Sequence, residues 1–322
     1  MSARPTPEAP ETGRARARPA GLLARLDESD LFYSFRRSPI VVAAAAISFL
    51  MILAAVFAPL VAPQDPFDMA QLDLLDSLLP PVWVEGGMWR YPLGTDDQGR
   101  DIFSTILYGA RISILVGFAS VAFAMVLGIV LGLVAGYAGG WVDSLLMRIA
   151  DIQLSFPAIL IALLIDGVAR GIMGNVGHER IAFGVLILAI GLSFWVQYAR
   201  TVRGSVLVEK GKEYVQAAQV IGLPPVLILF RHILPNVMGP VLVIATIQLA
   251  LAVITEATLS FLGVGVPPTS PSLGTLIRIG NDYLFSGEWW ITIFPGAALV
   301  ILVLSVNLLG DWLRDALNPK LR

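Results

Sequence analysis

The chain has 322 residues, 56% of them hydrophobic and only 14% charged, with a formal net charge of −2 and a mean hydropathy of +0.76. Uncharged runs of about 20 apolar residues have the length of a membrane span, so a soluble domain is excluded and no nucleic-acid partner is expected. Cysteine is absent, two histidines (His178 and His232) leave little room for a metal site, and no G-x-x-x-x-G-K-[ST] occurs. No catalytic residue, cofactor or metal is expected, and the chain is not expected to hydrolyse ATP itself.

Residues 1–38 form a tail carrying seven arginines among Pro, Ala and Gly, a composition that builds no core, and residues 1–20 read as disordered. Residues 39–62 are uncharged for 24 residues, too long for the apolar region of a cleaved signal and so a first span. Residues 63–110 read as an extramembrane loop. Asp65, Asp68, Asp73, Asp76, Glu85, Asp96, Asp97 and Asp101 are opposed there by Arg90 and Arg100. The turn-rich run Tyr91–Asp101 ends it. Ile102, Phe103, Ile106 and Leu107 then predict an amphipathic helix leading into the membrane.

Residues 111–312 form the membrane core. A second span, 112–138, contains Gly128, Gly132 and Gly136, a doubled G-x-x-x-G that lets helices approach closely. A third, 145–165, is interrupted by Pro157, and a loop follows over 166–180 with His178 solvated in it. The fourth covers 181–199 and the fifth 237–262. The fifth holds Glu256, read either as a structural or headgroup-level carboxylate or as the proton relay of a secondary transporter. The sixth runs from Trp289-Trp290 to Leu309, and residues 313–322 form a short tail.

A polar island, 205–235, separates the fourth and fifth spans. Val206, Tyr214, Ala217, Ala218 and Ile221 recur at roughly helical spacing, so one helix is predicted to Ile221. Gly222 ends it and Pro224-Pro225 prevent its continuation. A second segment returns through His232 to Leu234-Pro235. The product is a short helix, a corner and a re-entry. Adjacent alanines let another surface approach the backbone, whereas a helix lying on lipid carries larger apolar anchors.

This stretch resembles the coupling motif of ABC importer permeases, E-A-A-x3-G-x9-I-x-L-P, with Gln216 in place of the Glu and His232 in place of the first Ile. The strings PLGTDDQGRDIFSTILYGARIS, TEATLSFLGVGVPPTSPSLG and LLGDWLRDALNPKLR are similar to segments of dipeptide, oligopeptide and nickel permeases. The resemblance implies an all-α polytopic membrane protein with six transmembrane helices and a cytoplasmic coupling helix. Tyr214, Gln216, Ala217, Ala218, Gly222, His232, Leu234 and Pro235 would be its ATPase-coupling residues. The implied partners are a second homologous permease subunit in a heterodimer, two cytoplasmic ATP-binding subunits, an extracytoplasmic substrate-binding protein docking on the side of the acidic loop, and the lipid bilayer. The implied setting is the bacterial inner membrane. Six spans would place sixteen Lys/Arg on the side of the termini and the coupling stretch against six on the other, which the positive-inside rule makes cytoplasmic. The alternative is a proton-coupled secondary transporter using Glu256.

Overall fold

The computed structural model describes residues 30–68, 72–267 and 269–316, with the side chains of 30–33 and 175–180 also outside the description. The expectations for residues 1–20 and for 317–322 therefore lie outside the described residues, as does the side chain of His178. A first unit, 1–39, contributes α1 (Asp30–Arg37), an eight-residue helix closing on Arg36 and Arg37.

The second unit begins at Ile40. It carries all but the first residue of α2 (Pro39–Val56), the single turn α3 (Ala58–Val61), and α4 (Ile102–Ala138). There follow α5 (Gly140–Leu154), α6 (Ala158–Glu209), α7 (Glu213–Val220), α8 (Pro225–Phe261), α9 (Leu273–Tyr283) and α10 (Trp290–Ala316). Among the described residues the only β pairing is an isolated bridge between Thr95 and Asp101. The molecule is all-α.

Among the described residues, five segments are long and apolar enough to cross a membrane: Pro39–Val56, Ile102–Ala138, Ile181–Glu209, Pro225–Phe261 and Trp290–Ala316. The sixth candidate is a bent pair, Gly140–Leu154 and Ala158–Gly174, meeting at 93°. The third span expected over 145–165 with an interruption at Pro157 is two helices that break there. Pro157 lacks an N–H and disfavours the helical conformation in Phe156, so the chain turns there. Asp143 and Asp151 of α5 pair with Arg203 and Arg200 near the end of α6, Arg203 Nη2 reaching Asp143 Oδ2 at 2.7 Å. Charge along α5 is thereby spent on α6. The loop expected over 166–180 is also helical, kinked at Gly174 (φ 67°, ψ 171°).

α4 and α6 form the centre. A Cβ at Gly128 would lie 2.4 Å from Tyr198 Cβ, one at Gly132 2.6 Å from the Ala199 carbonyl oxygen, and one at Gly136 2.8 Å from Val206 Cβ. The glycine stripe read from the sequence is the groove that admits α6. α8 completes the core through Val237, Val241, Ala252 and Leu259. Glu256 of α8 is fully buried, and its carboxylate accepts from Ser113 Oγ and Ser260 Oγ, both at 2.7 Å. Ser113 also accepts from the Leu273 N–H at 3.3 Å, which ties the start of α9 to the same point. Glu256 is thus enclosed by protein and held by two hydroxyls, a setting that suits a structural carboxylate.

No separate amphipathic helix precedes the second span: Ile102–Leu107 are the first turns of α4. The run before them is an ordered knot. Arg100 Nε donates to Asp96 Oδ2 at 2.6 Å, both side chains nearly water-free, and Asp101 caps α4 by accepting from the Ser104 N–H at 2.8 Å. Tyr91 donates to Asp76 Oδ2 at 2.8 Å, and Trp290 Nε1 at the head of α10 donates to the Thr95 carbonyl at 3.1 Å. Burial, with Asp76 as hydrogen-bond partner and nearby charge, pushes the Tyr91 hydroxyl up to about 12. The acidic segment therefore clamps the same end of α4 and α10.

Candidate functional site

The helix expected from Val206 to Ile221 is broken. α6 stops at Glu209, the turn Lys210-Gly211-Lys212 follows, and α7 starts afresh at Glu213. Lys210 Nζ donates to the Tyr137 carbonyl at 2.7 Å, 5.3 Å above that residue's ring, and so fixes the turn to the end of α4. Lys212 Nζ reaches Glu209 Oε1 at 2.6 Å, and Gln216 Nε2 donates to the Gly211 carbonyl at 3.1 Å.

Gly222 (φ +84°) takes the left-handed conformation the corner requires. The Leu223 N–H closes back on the Ala218 carbonyl at 3.1 Å, and the Gly222 N–H on Gln219 at 3.0 Å, the pattern of a glycine helix stop. Pro224 and Pro225 then open α8, whose first turns widen to a π-helix over Ile228–Ile233. Ile228 and Ile233 are buried with Val215 and Ala218.

One polar cluster locks the corner. Tyr214 donates to Glu209, Asn236 Nδ2 donates to Tyr214 Oη at 3.1 Å and to the His232 carbonyl at 2.7 Å. Burial, then the hydrogen bond and charge of Glu209, push the Tyr214 hydroxyl up to about 12, so it stays a donor at any physiological pH. The rings of Tyr214 and His232 lie 6.5 Å apart. The short helix is therefore held at fixed geometry between α6 and α8.

Of the residues singled out from sequence, Tyr214, Gln216, Ala217 and Pro235 are exposed, whereas His232 and Leu234 are partly buried. Ala218 is the exception. It is 4% exposed and faces the protein's own core, so its small side chain fits internal packing and leaves nothing for a partner to touch. Ile221, where the expected single helix was to end, is 77% exposed, beside Val220 at 88%. The three-residue break resets the helical register, which the single-helix pattern concealed. Glu209, Lys212 and Asn236 were not singled out; only their fixed distances from Tyr214 along the chain hinted at them.

The eight-residue helix α7 thus lies on the surface between two apolar segments, Ile181–Glu209 and Pro225–Phe261. Residues 128–322 match the family described as binding-protein-dependent transport system inner membrane component, and residues 29–81 match the N-terminal transmembrane domain of oligopeptide transport permease C. The chain belongs to the binding-protein-dependent inner-membrane permease family. It is 37% identical over 274 residues to the di/tripeptide transport system permease protein DppC of Pseudomonas aeruginosa, covering 85% of this chain and 86% of that one. It is 38% identical over 294 residues to the dipeptide permease DppC of Escherichia coli K12 (91% of this chain, 93% of that one). The same identity and length relate it to the oligopeptide permease OppC of Bacillus subtilis (91% and 90%). Two crystal forms of the MetNI methionine ABC transporter in inward-facing conformations share the fold, with TM-scores of 0.51 and 0.52 at 22% identity. They cover 66% and 67% of this chain and 96% and 98% of the matched chains.

Proposed function

We propose that this chain is the permease subunit of an ATP-driven importer of di- or oligopeptides, and that α7 is its coupling helix. The observation that carries the reading is the corner itself. A helix of eight residues, pinned by Glu209, Tyr214 and Asn236, offers Gln216, Ala217, Val220 and Ile221 to a partner. A nucleotide-hydrolysing subunit fits that need, since the chain lacks a phosphate-binding loop of its own. Peptide is the solute favoured by the names of the relatives.

In this reading the chain pairs with a second, homologous permease, and two ATP-binding subunits meet the pair from the cytoplasm. The termini and α7 lie on that side, as the sixteen-to-six distribution of Lys/Arg supports. The clamp of residues 63–101 lies on the opposite side and receives the substrate-binding protein. Tyr214, Gln216, Ala217, Gly222, His232, Leu234 and Pro235 serve coupling, with Ala218 supporting the helix from beneath.

Co-purification of the ATP-binding subunits with Ala217→Leu tests the assignment. Loss of association at normal membrane level supports it. Full association with normal peptide uptake overturns it.

A further inference from the structure

α6 changes its exposed side halfway along. Ile181, Gly184 and Leu188 are exposed in its outer half, nearly everything from Ala189 to Val196 is buried, and exposure then resumes at Gln197, Gly204 and Val208. Gln197, Thr201 and Gly204, spaced by four and three residues, share one side of the helix. No atom lies within 4 Å of a Cβ built on Gly204, so this side is open there.

The open side begins with an amide in the middle of the apolar segment Ile181–Glu209. Hydrocarbon has nothing with which to satisfy it, and leaving an amide unpaired there is costly. Its amide oxygen accepts from Gln248 of α8, 1% exposed, whose Nε2 lies 2.6 Å away. Gln248 Oε1 is buried and has no partner. The Gln248 acceptor is closed to a solute, so what the pair presents to the open side is the Nε2 donors of the exposed Gln197, with Gln248 holding that amide in place. The C=O of a peptide group is the complement of such donors.

We infer that Gln197, with Thr201 and Gly204 on the same side, lines the solute path in this subunit and donates to the backbone carbonyls of a passing peptide, with Gln248 positioning its amide. The inference rests on the peptide-import reading above. Backbone recognition at this point is indifferent to side chains, as a path for mixed peptides requires. The occupant is solute and water rather than lipid.

The chain has no cysteine, so single cysteines report cleanly on it. In the assembled transporter, in inside-out and right-side-out vesicles, Gln197→Cys and Gly204→Cys are expected to react with a charged, membrane-impermeant thiosulfonate. Leu188→Cys, on the opposite side, is not. Excess alanyl-alanine is expected to slow labelling at 197. Gln197→Leu and Gln248→Leu are expected to raise the KM for dipeptide uptake about tenfold, the loss of one hydrogen bond, with ATPase association unchanged. Labelling of Gln197→Cys no faster than Leu188→Cys means that lipid or the second permease covers this side, and overturns the path assignment. Labelling without peptide protection and with unchanged KM overturns the backbone contact. A native transporter that takes up no peptide defeats the import reading separately, and labelling at 197 then still decides the path.

Discussion

Glu256 shows how a costly residue becomes a fastener. Its carboxylate gathers Ser113 from α4 and Ser260 from its own helix in a site closed to water, and Ser113 passes the connection to the start of α9. Glu256→Leu strips both hydroxyls of their acceptor, at about 1–3 kcal/mol for each group left unpaired, and should lower the thermal midpoint of the purified complex. Glu256→Gln keeps the shape and an acceptor, so it should retain most of that midpoint and leave the pH profile of uptake unchanged. A pH profile altered by the glutamine would return the residue to proton coupling. A second contrast separates two adjacent alanines. Ala218→Leu overpacks the core beside Ile228 and Ile233, costing about 1–3 kcal/mol and lowering the yield of folded protein. Ala217→Leu should leave yield intact and lose the ATPase subunit. The sequence marked both alanines as small, yet only tertiary packing shows which way each one points. Likewise the serine from α4 that holds Glu256 could not be read, because Ser113 lies 143 residues away in the chain.

The helices divide in the same manner between what pattern reveals and what contact decides. The spacing of Gly128, Gly132 and Gly136 was legible because small residues every fourth position have one strong use in a membrane. The close approach of Ala199 and Val202 at Gly132 bears that out. Gly132→Leu should force α4 and α6 apart and abolish assembly of the subunit in the membrane, measured as loss of the complex in detergent extracts. Gly184→Leu, in open space on the same α6, should assemble normally. The bend at Pro157 was half legible: proline announced an interruption, but apolar residues on both sides concealed a 93° turn. α9 was not legible at all: no apolar run long enough for a span marks residues 273–283, and the close contacts of Gly274 with α8 and of Gly280 with α10 exist only in the folded chain. Buried pairing inside the acidic segment was equally hidden. Arg100→Gln would leave Asp96 buried without its partner, a loss of about 3–5 kcal/mol, and should release the clamp on α4 and α10 to proteolysis.

Across the whole molecule the expected topology is alternating, with the C-terminus and Lys210 on one side of the membrane and residues near Pro63 and Gly171 on the other. Reporter fusions at these four points check it, and a Gly171 fusion on the same side as Lys210 would remove a crossing. The fixed corner at α7 then acquires a mechanical meaning. α8 has 37 residues and extends about 55 Å. Since Tyr214 and Asn236 fasten α7 to its base, rocking of the short helix by about ten degrees would swing the far end of a stiff rod of that length by roughly 10 Å. Pro240 interrupts the hydrogen-bond ladder close to the base, so some of that stroke is absorbed in bending and the remainder travels onward. Under the proposed coupling role, the corner would be the short arm of a lever whose long arm ends at Phe261.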